Sequence, residues 1–172
     1  MARDEFPDGL VTDLAERAGG RCELDGLSCT YAHHHHRQPR QKGGRSNAHR
    51  PSNLLRLHPG CHLARVESDR ASSYGLGWLV HGWCDPEEVP VFTWRGWRWL
   101  RDDLTMPPVS VALLGAVADS VPQSVFAGVA PRPTGRYIGL HAHEIAEYVR
   151  LHPEFDAKLV GDAFPGVDSE RR

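Results

Sequence analysis

The sequence predicts a small α+β fold with helical or irregular additions at both ends, and three observations carry that prediction. The chain has 172 residues, the length of one modest domain or of a small domain with an appendage. Short alternating runs that read as strands are interleaved with stretches whose apolar residues recur at helical spacing. Two Cys/His pairs about thirty residues apart have the spacing of metal ligands, and a bound ion can hold together a fold whose core is limited.

Composition sets the outer bounds. Hydrophobic residues make up 40% and charged residues 24% of the chain, near the globular averages of about 45–50% and 25%, so a folded chain is expected. No run of about 18 apolar residues occurs, so no membrane-spanning helix is expected. The start, MARDEFPDGL, lacks the basic stretch and apolar core of a secretory signal. A soluble, intracellular, non-secreted protein without membrane partners is the resulting expectation. In a reducing compartment, four cysteines are more often metal ligands than disulfides.

The net charge of −2 conceals an uneven distribution. Residues 31–70 carry eight basic and two acidic groups, a net of +6, and seven of the eleven histidines fall between His33 and His62. A local basic block is what attracts a polyanion.

Taken in order, residues 8–18 place Leu10, Val11, Leu14 and Ala18 at helical spacing, and Gly19-Gly20 ends the helix. Residues 22–33 hold two cysteines around a Gly-containing turn. Residues 34–51 are basic and rich in Gly, Asn and Ser, the composition of an exposed loop. Residues 53–57 read as a strand, His58-Pro59-Gly60 as a turn, and 61–71 as a helix. Residues 74–82 continue as a short extended piece, and 91–101 as strand–turn–strand around Arg95-Gly96. The segment 106–136 is rich in Pro, Ala, Val and Gly, and residues 140–151 form an amphipathic helix with Ile145, Tyr148 and Val149 on one face, ended by Pro153. Three parts follow: an N-terminal helix over 1–20, a central domain over 21–105 and a C-terminal extension over 106–172.

Two knuckles supply metal-ligand spacing. Cys22 and Cys29 form the first, and His58 and Cys61 form the second as H-x-x-C. Together they provide four N/S ligands for a tetrahedral structural zinc. Asp25 makes C-x-x-D with Cys22 and is an alternative ligand, although a thiolate is the better zinc partner. Buried cysteines also behave as small hydrophobes, and Cys84, which has no partner in sequence, is read that way. The four-histidine run has a different meaning. Adjacent residues of a strand point to opposite faces, so one histidine could bind a metal while its neighbour activates a water as general base. His62 follows the second knuckle on the first turn of a helix and could meet them across a β-hairpin.

The ordered motifs C-x6-C, AHHHHR, GG, Asn53-Leu54-Leu55, H-x-x-C-H and GWLVHGWCDPEEVPV resemble the HNH endonucleases common in phages and prophages, over roughly residues 18–100. The resemblance implies a ββα-metal (His-Me finger) fold, one catalytic divalent ion (Mg²⁺, Mn²⁺, Ni²⁺ or Zn²⁺), a structural zinc, and hydrolysis or nicking of DNA. It implies that His35 ligates the ion, His36 is the general base, Asn53 orders the loop or approaches the metal, and His62 is a second metal ligand. Cys22, Cys29, His58 and Cys61 fall on the structural zinc positions. It also implies residence in a phage-infected or bacterial cytoplasm, with a phage terminase or another packaging protein as a partner.

This chain departs from the family pattern at two positions. His58 stands where a cysteine is usual, which leaves a good zinc ligand. Val66 stands where many relatives carry a further metal-ligating histidine. Glu67 is adjacent, but on an α-helix it leaves about 100° round from that position. Two imidazoles plus Asn53 or water would bind metal weakly. A catalytically impaired zinc-stabilised DNA-binding module, or a phage DNA-packaging accessory, is therefore the alternative to an active enzyme.

Arg37, Arg40, Lys42 and Arg45 lie beside the proposed site and are expected to contact phosphates without reading sequence. The five tryptophans, all between Trp78 and Trp99, are expected to complete the core of a small domain in preference to stacking on bases. His141, His143 and Glu144 form no coherent metal set, because residues two apart leave a helix on different sides.

Overall fold

Arg17 bolts the N-terminal helix to the centre of the molecule. In the computed structural model, which describes residues 6–38, 48–109, 145 and 147–153, helix α1 spans Leu10–Arg17. Leu10 and Leu14 pack with Leu54 in a small cluster that also takes in Phe6 and Leu104. Arg17 follows on the same face. Its guanidinium donates to both carboxylate oxygens of Glu23 at 2.9 and 2.8 Å, and to the carbonyls of Pro51 and Leu54 at 2.7 Å each. Glu23 also accepts from the backbone N–H of Arg56 at 2.7 Å. Burying this ion pair is tolerable because each charge has its hydrogen bonds met.

The central pair consists of β1, His33–His36, antiparallel to β2, Leu54–Leu57, in the register His33↔Leu57 to His36↔Leu54. His34–His36, which composition grouped with the basic loop, lie in β1, in keeping with the strand reading of adjacent histidines. The buried, largely apolar β2 supplies the partner that makes the run a strand. Chain direction then reverses through His58 into α2, Pro59–Cys61, which continues as a π helix over His62–Glu67. The helix expected over 61–71 is thus broken: α3, Arg70–Gly75, starts afresh after Asp69, whose side chain accepts from Ser72 N–H. A second antiparallel pair, β3 (Val91–Thr93) and β4 (Gly96–Arg98), forms the expected hairpin. Two antiparallel two-stranded sheets with intervening helices make the fold α+β.

The main core gathers Leu55, Leu57, Val66, Leu76, Trp78, Val91, Trp97 and Leu100, with Ile145 and Val149 closing it from the C-terminal segment, where residues 147–151 are helical. Trp78 and Trp97 are buried there, and Cys84 is also in this core. Gly77 is required where it stands: at φ +68° a Cβ would lie 1.9 Å from the Pro90 carbonyl oxygen. Among the described residues no helix is long and apolar enough to cross a membrane.

Arg37 is the largest departure from expectation in this part of the chain. Expected to contact phosphates, it is 0% exposed. Its guanidinium donates to the carbonyls of Gly77, Ser52, Pro86, Val89 and Pro90, at 2.6 to 3.4 Å. Burial pushes its pKa down to about 9, with the charge of Arg17 adding to the effect. It is a structural hub and offers nothing to a ligand. Arg40, Lys42 and Arg45 lie outside the described residues, as do His141, His143 and Glu144.

Candidate metal centres

The loop before β1 builds the first cluster. Cys22 N–H bonds to the Leu27 carbonyl and Gly26 N–H to the Cys22 carbonyl, both at 2.9 Å, closing a tight turn. Gly26 sits at φ +71°, against the Trp94 ring, where a Cβ would come within 2.9 Å. Asp25 is locked by a 2.9 Å hydrogen bond from Leu27 N–H to its Oδ1. That turn carries Asp25 to α2. One donor atom each from Cys22, Asp25, His58 and Cys61 lies within 4.8 Å of the others, so the group could hold a metal ion. Cys29, expected in this set, is outside it: its thiol donates to the Tyr31 carbonyl at 3.1 Å. The alternative ligand, Asp25, takes its place.

Hydrogen-bond chemistry leaves a place for a cation here. The His58 Nε2–H donates to the Ser28 carbonyl at 2.9 Å, which turns Nδ1 toward Asp25 Oδ2 at 3.2 Å. A neutral ring would set a lone pair against the carboxylate, so the contact is completed either by a proton on Nδ1 or by a cation between the two atoms. The Cys61 thiol also points at the same Asp25 oxygen, at 3.0 Å. Burial pushes the Asp25 carboxyl up, but the bonds from Cys61, Leu27, His58 and Cys22 outweigh it and hold the pKa at about 2. Burial, followed by the bond to Asp25, drives the Cys61 thiol upward. The carboxylate is therefore ready to ligate at any physiological pH, whereas the thiol gives up its proton only to a metal.

The second cluster includes His62, the residue after Cys61. His35 Nδ1, His62 and Glu67 bring donor atoms within 4.8 Å of one another. His62 Nε2 is 3.3 Å and His35 Nδ1 4.0 Å from Glu67 Oε1. Glu67 reaches this place because residues His62–Glu67 are a π helix. Hydrogen bonding from i to i+5 widens the turn, so the fifth residue on returns over the first. The expectation that Glu67 points elsewhere assumed an α-helix. Val66, the position that raised doubt, is buried in the core.

Each imidazole of this cluster has an orienting partner. His35 Nε2–H donates to the Trp78 carbonyl at 3.0 Å, leaving Nδ1 unprotonated toward the cluster. Burial, eased by that bond, lowers the His35 pKa to about 4, so it stays neutral at physiological pH. His62 Nδ1 pairs with His33 Nδ1 at 3.0 Å. With a metal on its Nε2 lone pair, His62 would carry the proton on Nδ1 and donate in that bond; without one, Nε2–H donates to Glu67 and Nδ1 accepts. His33 was assigned no role from sequence. Its signal was available in strand alternation, which puts it on the same face as His35.

His36 occupies the opposite face of β1, stacked on Phe6 at 5.8 Å and edge-on to His49 at 5.3 Å. A cavity of about 290 Å³ nevertheless brings it together with His34, His35, His62, Glu67 and Arg70. Asn53 stays away from that cavity. Its Oδ1 accepts from Gln38 N–H at 2.8 Å and its Nδ2 donates to the Ala48 carbonyl at 3.0 Å. It thus bonds to residues on either side of 39–47, the part of the segment between β1 and β2 that lies outside the described residues. The chain matches no family model, no curated protein and no solved structure.

Proposed function

We propose that the protein is a metal-dependent endonuclease or nickase that hydrolyses DNA phosphodiester bonds, with the ββα-metal plan of HNH enzymes. The observation that carries this reading is the convergence of His35 and His62 with Glu67 in a cavity that His36 also lines. Two imidazoles and a carboxylate leave coordination positions open, as catalytic sites do. Bound there, a divalent ion supplies positive charge to the phosphate and to the departing oxygen.

The chain's own residues do the rest. His35 holds its tautomer through the Trp78 carbonyl, and the His62 ring is oriented by its contact with His33. His36, which lines the cavity without being one of the three ligands, takes a proton from the attacking water. The new P–O bond forms as the bond to the leaving sugar oxygen breaks, and that oxygen is protonated by solvent. Cys22, Asp25, His58 and Cys61 would hold a structural zinc, which would fix the start of α2.

Full-length protein is incubated with supercoiled plasmid and Mg²⁺, Mn²⁺, Ni²⁺ or Zn²⁺. Nicked or linear product with at least one ion is expected, and His36→Ala abolishes it with folding intact. Absence of product with every ion, or a fully active His36→Ala, overturns the reading.

A further inference from the structure

Three rings form a ladder on the surface next to the cavity. Tyr74, on α3, stacks on His81 with centroids 4.3 Å apart and planes 10° apart. His81 stacks on Trp83 at 4.6 Å and 3°. Trp83 is 53% exposed, unlike Trp78 and Trp97, which the core absorbs. Trp83 stands outside the main core and continues the near-parallel pile with about half of its surface in solvent.

The ladder is tied to the cavity at its inner end. Arg70 lines the cavity together with His36 and Glu67. Its guanidinium carbon lies 5.9 Å from the Tyr74 ring centroid, and Nη2 donates to Tyr74 Oη at 3.4 Å. The outer end is held as well. Gln38, two residues beyond His36, donates from Nε2 to the carbonyls of His81 and Cys84 at 2.8 and 2.7 Å. One cation and three flat rings therefore run outward from the place where a phosphate is proposed to sit.

We propose that Trp83, backed by His81 and Tyr74, is a stacking platform for an unpaired nucleobase of a DNA strand whose backbone follows Arg70 into the cavity. Every base has a π-face, so such a platform favours single-stranded or opened DNA without choosing a sequence. An apolar protein anchor fits less well, because the inner rings are polar and the flanking side chain is cationic. The proposal rests on DNA being the substrate.

Its test uses the full chain with no divalent ion added, so that binding is read apart from cutting. A mixed-sequence single strand carrying 2-aminopurine, and the same strand in a duplex, are titrated with wild type, Trp83→Ala and Trp83→Phe. Trp83→Ala is expected to weaken single-strand binding about tenfold and to lose the 2-aminopurine quenching, while Trp83→Phe keeps most of both. Duplex affinity and thermal stability stay at wild-type values in both variants. Unchanged single-strand affinity, an equal loss on duplex, or no single-strand binding by wild type overturns the platform. If plasmid is cut normally by Trp83→Ala with unchanged strand binding, the platform fails and the nuclease stands. If nothing is cut yet strand binding depends on Trp83, the nuclease fails and the platform stands.

Discussion

Cys61 and His62 are neighbours in sequence, yet Cys61 turns to Cys22, Asp25 and His58 while His62 turns to His35 and Glu67. The first cluster joins a loop turn to a helix start with four donors, two of them sulfur. The second joins a strand to the π turn with three donors and opens into a cavity. A closed set of four is what holding a fold requires, and an open set of three is what chemistry requires. One helical step separates the two, so whatever fixes Cys61 also fixes where His62 begins.

The largest effect should come from breaking the closed set. In the proposed zinc site, binding energy is largely folding energy. About one tightly held zinc per chain is expected by elemental analysis, and Cys22→Ser should lose it and unfold. Cys29→Ser separates the sequence expectation from the structure. With its thiol on the Tyr31 carbonyl, that variant should keep zinc and fold, whereas Asp25→Ala should weaken zinc retention. Zinc loss in Cys29→Ser with full retention in Asp25→Ala would reverse the ligand assignment.

Breaking the open set should leave the fold alone. Glu67→Gln keeps the size of the side chain but removes its charge, and cleavage should fall by about 100-fold or more. Zinc content and thermal midpoint should match wild type. Equal loss of activity and stability would make Glu67 structural.

How much of this contrast was legible in sequence depends on backbone geometry. Cys22, His58 and Cys61 were legible as metal-ligand spacing, whereas His35 and His62 were singled out by the resemblance and by their place on a strand and a helix start. Asp25 was readable only in part. Donor preference favoured Cys29, but the turn at Gly26 delivers Asp25 to α2 and leaves Cys29 facing a carbonyl. Glu67 was misplaced because side-chain phase was taken from an α-helix, and a π turn shifts that phase by one residue. Arg37 could not be read as a hub. Charge counting cannot tell a solvated arginine from one whose donors are spent on backbone carbonyls brought from three distant segments.

A proton offers a gentler way to probe the open set. The unfolded His35 imidazole titrates near its ordinary 6.5, whereas in the fold it does so at about 4. Below pH 6.5 the unfolded chain therefore binds the additional proton, so the stability conferred by a neutral His35 is complete above that pH. It is lost progressively as pH falls toward 4. At pH 5 the loss is about 2 kcal/mol relative to pH 7. His35→Gln should flatten this part of the pH–stability curve in denaturant titrations. Zinc loss at low pH is common to both proteins, so their difference isolates His35. Parallel curves would mean that His35 is not buried as neutral imidazole.

The smallest predicted change concerns His33, which touches no substrate but pairs with His62 Nδ1 at 3.0 Å. When a metal takes the His62 Nε2 lone pair, the proton sits on Nδ1 and His33 Nδ1 would accept it. Without that acceptor, the ring is free to turn. Partners of this kind are worth about 10- to 100-fold in metal affinity, and His62 is part-exposed, so water can replace some of what is lost. His33→Ala should therefore raise the metal concentration for half-maximal cleavage about tenfold, while the rate at saturating metal and the zinc content stay near wild type. His33→Asn, which restores a side-chain acceptor, should recover part of the shift. A fall in the saturating rate with no change in metal dependence would place His33 in the chemistry itself and not in the positioning of His62.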